Sequence, residues 1–269
     1  MTDLFFKGLK KSYENINKNK ELLNKINVFP APDKDTGNNI EKTLKNIWES
    51  DSLKELSSKI MANSRGSSGN ILAVYVLGLY KNESDNLTDM CSKAAQYTWN
   101  MITDPQEGTI LSAMKSVPEF NGDLRKFIHD YILNGINILL DTEFSPESVR
   151  KYRTLDSGIL GWILILDGLY EYISGKSIVP HFEVQDINVT EHNYSRYCIE
   201  LEIKGYSDSL KKELNLLGNE IIIIDMNDKV KIHIHSNDYN QILDACERYG
   251  EVIYYKIEDM QNDNRRIYL

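Results

Sequence analysis

Two aspartates separated by one residue, Asp33 and Asp35, lie in the segment Asn27-Val28-Phe29-Pro30-Ala31-Pro32-Asp33-Lys34-Asp35-Thr36-Gly37-Asn38-Asn39. Two prolines fix φ there and hold the chain extended. In an extended segment, side chains two apart project the same way, so both carboxylates can face one point while Lys34 faces another. Hard oxygen donors in that arrangement suit Mg²⁺, which takes one or two carboxylates and completes its octahedron with water and substrate phosphate. The same residues also fit an Asx-type turn in which Asp35 or Thr36 caps the following helix.

Three more polar breaks carry chemistry-bearing types. Ser64-Arg65-Gly66-Ser67-Ser68-Gly69-Asn70 runs into an apolar stretch. Glycines beside serines at a helix start leave N–H groups and hydroxyls able to hold phosphate, assisted by the helix dipole; an ordinary capped helix is the plainer reading. Pro105-Gln106-Glu107-Gly108-Thr109-Ile110-Leu111 and Leu155-Asp156-Ser157-Gly158-Ile159-Leu160-Gly161 each place a capping type ahead of an apolar run. Far downstream, Lys231-Ile232-His233-Ile234-His235 alternates polar and apolar, which puts His233 and His235 on one face of a strand. With a thiolate from Cys198 they make a zinc-type donor set that leaves a fourth position for water or substrate. Solvent-facing histidines are the alternative.

The elements that must position these residues fall into two textures. From Leu4 to about Gly175 apolar residues recur at helical spacing, as in Leu53, Leu56 and Ile60 or Ile71, Val74 and Leu79. After Lys176 come short strand-like runs, Tyr197 to Ile203, Glu220 to Asp225, Val230 to His235 and Val252 to Ile257, with amphipathic helical stretches at Ser207 to Leu217 and Tyr239 to Tyr249. The spacing predicts an α+β chain. An all-α helical barrel or bundle over residues 1–175 is followed by a small α/β domain over 185–269. Strand, helix, strand, strand, helix, strand is the ferredoxin-like order. Asn227-Asp228 supplies its central turn, and the boundary falls between Ser174 and Val184, where Pro180 stops a helix.

Composition narrows the partners. The chain has 269 residues, a formal net charge of −9 and a pI near 5.2, which argues against nucleic-acid binding, since that needs a concentrated basic face. A small molecule or another protein is expected instead. Three scattered cysteines are too few for a disulfide framework, and no window approaches the roughly 18 apolar residues of a membrane span. A cytoplasmic protein with no integral membrane segment is therefore expected. Cys91 and Cys246 read as packing residues, and His129, His181 and His192 show no partner pattern.

The long string from Asn27 to Asn39 closely resembles the signature of the fatty-acid kinase catalytic subunit, whose N-terminal domain is shared with the nucleotide-binding subunit of dihydroxyacetone kinases. The strings at 64–72, 105–111 and 155–161 are similar to that family's next three motifs, in the same order. Tyr197-Cys198-Ile199-Glu200 and Lys231-Ile232-His233-Ile234-His235-Ser236 resemble motifs of its middle domain, and the likeness continues through Tyr249-Gly250 and Lys256 to Met260.

The resemblance implies a kinase using ATP and Mg²⁺. Asp33 and Asp35 would hold the metal that bridges the phosphates. Asn27, Thr36, Asn38, Asn39, Thr109 and Asp156 would lie about the nucleotide, and Ser67, Ser68 and Gly69 would contact phosphate. His233 would join Asp33 and Asp35 as a catalytic residue, while Cys198, His233 and His235 would hold zinc. The acceptor would be a fatty acid presented by a separate binding protein, giving an acyl phosphate, and a homodimer would form through the middle domain. The family's third domain, related to fatty-acid-binding proteins, is expected to be missing after Leu269. Departures from the pattern are Lys34 and Ile159 where glycines are usual, Ser67 for asparagine, Asn38 for threonine and Ile40 for methionine. A required positive φ at Lys34 would cost roughly 1–2 kcal/mol. These departures admit a second reading, a nucleotide-binding sensor or scaffold of the same fold that does not turn over.

Overall fold

The computed structural model describes residues 2–141, 143, 145–182, 187, 194–226, 228–261 and 266–268. The chain divides into two units, Met1–Trp99 with Pro105–Asn188, and Asn100–Asp104 with Val189–Leu269.

The first unit is helical: α1 (Thr2–Lys25), α2 (Thr36–Leu44), a 3₁₀ turn (Ile47–Glu49), α3 (Leu53–Asn63), α4 (Gly66–Lys81), α5 (Leu87–Met101), α6 (Ile110–Lys115), α7 (Leu124–Leu140), α8 (Glu147–Lys151) and α9 (Ser157–Ser174). On α1 the buried Phe6, Leu9, Ser12, Ile16 and Leu23 follow the three- and four-residue spacing of one helix face. That face lies on α9, and the Ser12 hydroxyl donates to the Ile165 carbonyl at 2.7 Å. From Ser157 to Tyr170 every residue of α9 is buried, as expected of a helix that is apolar all round. Asp156 caps its start and Gly175, at φ 78°, ends it. An apolar cavity of about 480 Å³ lies among these helices, with Leu56, Tyr75, Phe127, Tyr131 and Trp162 in its lining. Among the described residues, no helix is long and apolar enough to cross a membrane.

The second unit carries β1 (Tyr197–Lys204), α10 (Asp208–Leu217), β2 (Asn219–Asp225), β3 (Val230–Ser236), α11 (Tyr239–Tyr249), β4 (Glu251–Asp259) and β5 (Arg266–Tyr268). The sheet order is β2-β3-β1-β4-β5, and each neighbouring pair is antiparallel. Alternation decides its two faces. Ile199, Leu201, Ile203, Ile232, Ile234 and Ile257 meet Leu210 and Leu214 of α10 and Ile242, Ala245 and Cys246 of α11 in one core. The intervening residues, Cys198, Glu200 and Glu202 on β1 and Lys231, His233 and His235 on β3, form the opposite face.

The four strands and two helices read from the sequence appear within one or two residues of the expected bounds. Strand β5 goes beyond that reading. Asn227 of the expected central turn, Val184 at the expected boundary and His192 lie outside the described residues. The division between units falls at 188/189, and the segment 100–104 joins the second unit, where Ile102 bridges Ile222 on β2.

Candidate functional site

Asn27 organises the acidic loop. Its side chain is 3% exposed. The Oδ1 accepts from the N–H groups of Asp35 at 3.1 Å and Thr36 at 3.2 Å. Its Nδ2 donates to the carbonyls of Ala31 at 3.0 Å and Phe29 at 3.3 Å. One amide thus satisfies four backbone groups that the irregular loop would otherwise leave to water. Asn24 adds a fifth contact, its Oδ1 accepting from the Asn38 N–H at 3.2 Å.

Asp35 occupies the N-cap position of α2, at φ −124° and ψ −4°, but its side chain makes no capping bond. The Asx-cap reading therefore does not describe it. Lys34 takes φ 57°, so the family's glycine position is a left-handed one and lysine bears its strain. This also corrects the picture of a plainly extended loop. A left-handed residue turns the chain between Asp33 and Asp35, so the two carboxylates are not related by simple strand alternation. Both are partly buried, while Lys34 is exposed.

The first turns of four helices meet at this end of the unit. The Ser157 hydroxyl of α9 donates to Thr36 Oγ1 of α2 at 3.2 Å. A Cβ built on Gly66, the first residue of α4 at φ 60°, would lie 2.2 Å from Asn39 Nδ2. Only glycine lets α4 begin so near α2. Thr43 Oγ1 in turn accepts from the Arg65 N–H at 3.3 Å. A Cβ on Gly158 would lie 3.2 Å from Ile110 Cβ, which brings α6 against α9. Asn27, Thr36, Asn39 and Gly69 are buried within this cluster, whereas Asn38, Ser67 and Ser68 are half-buried. The apolar cavity is separate, and none of Asp33, Asp35, Ser67, Ser68, Thr109 or Asp156 lines it.

Thr109 and Asp156 have structural work of their own. Thr109 Oγ1 donates to the Gln106 carbonyl at 2.7 Å and accepts from the Leu111 N–H at 3.3 Å, capping α6. Asp156 Oδ1 accepts from the Ile159 N–H at 2.7 Å. Burial pushes the Asp156 carboxyl up to about 6, against the pull of the Ile159 and Gly158 N–H groups. The folded chain therefore holds this proton more tightly than the unfolded one. Its contribution is fully present below about pH 4 and is lost as pH rises through about 6. Asp156→Asn keeps a capping oxygen and removes the titration. Thermal denaturation from pH 4 to 7 should show the wild type losing up to about 3 kcal/mol relative to this variant as pH rises. Parallel pH profiles for the two proteins would contradict the assignment.

In the second unit, register builds another cluster. Cys198 on β1 pairs with His235 on β3, and Glu200 pairs with His233. Cys198, His233 and His235 are buried and offer donor atoms that all lie within 4.8 Å of one another. Cys198 Sγ is 3.9 Å from His233 Nδ1, and the two rings meet edge to face with centroids 4.9 Å apart. Burial, with Lys231 and Lys256 adding to it, lowers the His233 imidazole to about 3; burial, then His233, takes His235 well below its usual value. Both rings are neutral at pH 7, the state that ligates metal, and a poor state for donating a proton. Donors of a tetrahedral zinc site stand roughly 3.3–3.6 Å apart, so the observed spacing fits such an ion after a small closure. The solvent-facing alternative does not describe these histidines. The remaining cysteines, Cys91 and Cys246, are free thiols buried in packing positions.

Sequence reasoning missed Asn24, Ser157, Thr43 and the clamp made by Asn27, because their partners lie across the fold. A buried polar type inside an apolar helix face, as at Ser157 or Thr43, was the available signal.

Comparison with known proteins supports a relationship in line with this geometry. Residues 194–267 match the FakA-like middle-domain family of fatty acid kinases, which spans Cys198, Glu200, His233 and His235. An uncharacterized protein of Staphylococcus haemolyticus is 24% identical over 298 aligned residues, covering 94% of this chain and 54% of the relative. Uncharacterized proteins of Staphylococcus aureus strains RF122 / ET3-1 and USA300 are 23% identical over 300, with the same coverage. The chain thus spans about half the length of the curated relatives it matches, and its second unit carries a FakA-like middle domain of the fatty acid kinase type.

Proposed function

We propose that the first unit binds Mg-ATP and that the chain catalyses phosphoryl transfer to the carboxylate of a fatty acid presented by a separate binding protein. A carboxylate oxygen of the acceptor forms the new bond to the γ-phosphorus, the bond to the β–γ bridging oxygen breaks, and ADP leaves with an acyl phosphate as co-product. The observation that carries this reading is the meeting of four helix first turns, α2, α4, α6 and α9, beside the loop of Asp33 and Asp35. Backbone N–H groups and helix dipoles directed to one region favour a polyanion, and the two carboxylates are the types that hold Mg²⁺. When bound, Mg²⁺ neutralises phosphate charge. Asn27, Asn38, Asn39 and Thr36 shape the loop, Ser67, Ser68 and Gly69 face phosphate, and Thr109 and Asp156 border the nucleotide. Phosphoryl transfer asks mainly for such positioning and charge stabilisation.

For the second unit we propose a ferredoxin-like module, following a helical barrel in the first unit, in which Cys198, His233 and His235 hold zinc and through which the chain forms a homodimer. Lys34 at φ 57° favours a second reading, a nucleotide sensor that does not turn over, because its ammonium stands where the family keeps a bare backbone.

Isothermal titration with Mg-ATP, followed by an acyl-phosphate assay with a fatty-acid-binding partner, tests both. Saturable binding is expected, and Asp35→Asn should weaken it at least about a hundredfold, or some 3 kcal/mol, through loss of a charged ligand. Absence of heat at millimolar ATP would sink the kinase proposal. Binding without acyl phosphate would favour the sensor.

A further inference from the structure

Glu200 lies two residues along β1 from Cys198, on the same face, opposite His233 of β3 and Lys256 of β4. It is 3% exposed. Its Oε1 is 3.9 Å from His233 Nδ1, the nitrogen that is also 3.9 Å from Cys198 Sγ. Its Oε2 is 3.7 Å from Lys231 Nζ. A direct charge-assisted hydrogen bond would bring either pair to about 2.7–2.9 Å. Glu200 therefore sits beside His233 and Lys231 without closing tightly on either.

An isolated buried ion pair explains this poorly, because desolvation tends to offset the attraction of the two charges. Charge in the cluster explains it better. A divalent ion on one thiolate and two neutral imidazoles leaves a net positive charge, in a buried face that already holds Lys231 and Lys256. One more carboxylate in the donor set cancels it. Geometry agrees: His233 Nδ1 is equidistant from the thiol and the carboxylate, and closing each gap by roughly half an ångström reaches tetrahedral spacing.

We propose that Glu200 is the fourth ligand of the Cys198–His233–His235 site, through Oε1, making a closed four-coordinate centre that ties β1 to β3. This rests on the metal reading above. It assigns the site a structural role, since catalytic zinc keeps one position for water. Lys231 then holds the second carboxylate oxygen and orients the ligand, as outer-shell partners do.

The test uses the full chain, stripped by a chelator and loaded with Co²⁺ as the probe. The wild type should show intense tetrahedral bands and thiolate charge transfer, and added azide should leave them unchanged. Glu200→Gln should weaken Co²⁺ binding by more than the ten- to hundredfold typical of outer-shell changes, and its spectrum should shift with azide. Lys231→Met removes the ion-pair partner and should keep the azide-insensitive spectrum. Should Glu200→Gln fail to fold, Glu200→Cys supplies the answer, because a second thiolate in the donor set should roughly double the charge-transfer intensity. An azide-sensitive wild type, or a Glu200→Gln protein with wild-type affinity and azide insensitivity, overturns the proposal while leaving the metal site standing. Wild-type protein that takes up no Co²⁺ with thiolate bands overturns the metal reading and this proposal together.

Discussion

Asn27→Ala is expected to cost about 3–4 kcal/mol of stability in the helical unit and to weaken Mg-ATP binding at least tenfold. The Asn27 amide meets two N–H groups and two carbonyls of the loop from Phe29 to Thr36. Each such bond is worth about 1 kcal/mol net, and a buried partner left unmet costs more. Losing the clamp also frees the chain on both sides of Asp33 and Asp35, so the ligand groups lose their fixed geometry. Thermal denaturation should show a fall of roughly 6–15 °C, and titration calorimetry should show the affinity loss. A variant that melts within a degree of the wild type and binds nucleotide normally would show that the loop holds itself.

The second large effect is expected at Gly37, in the first turn of α2. A Cβ there would lie 2.2 Å from the Lys20 carbonyl oxygen and 2.8 Å from Lys20 Cα. Both are backbone atoms of α1, so no rotamer change relieves the overlap, and the helices must separate. Gly37→Ala should therefore cost about 4 kcal/mol, near the upper end of single substitutions. Gly122 is the internal control. It has φ 86° but nothing within 4 Å of a built Cβ, so Gly122→Ala bears only the backbone term of about 1–2 kcal/mol. Urea denaturation of the two variants side by side measures the difference. Equal midpoints would remove the argument that α1 and α2 touch through Gly37.

Much of this architecture is legible in the residue order because its signals are local. Strands β1 to β4 alternate with period two, and the caps at Thr109 and Asp156 sit immediately ahead of apolar runs, so both their bounds and their capping roles can be read from the chain. Strand β5, three residues long, is too short to show a period. The site is only half legible. Which residues carry carboxylates, hydroxyls and imidazoles is plain, but their meeting depends on contacts such as Ser157 with Thr36, 121 positions apart, for which no local pattern exists. Lys34 shows the same limit in one residue. Its position beside two aspartates is visible in the chain, whereas its left-handed backbone follows from the loop held by Asn27.

The alternation of β3 has one more consequence. Sliding β3 by a single residue against β1 would send Lys231 and His233 into the space filled by Ile232 and Ile234, and would turn those isoleucines out among Glu200 and Cys198. The misaligned sheet would lose its oily layer and its donor triad in the same step. Cys198, His233 and His235 therefore act as a combination lock on strand alignment: a metal probe added during refolding would register only chains whose β1 and β3 had paired in the native phase, and so would count correctly assembled sheets apart from merely collapsed ones.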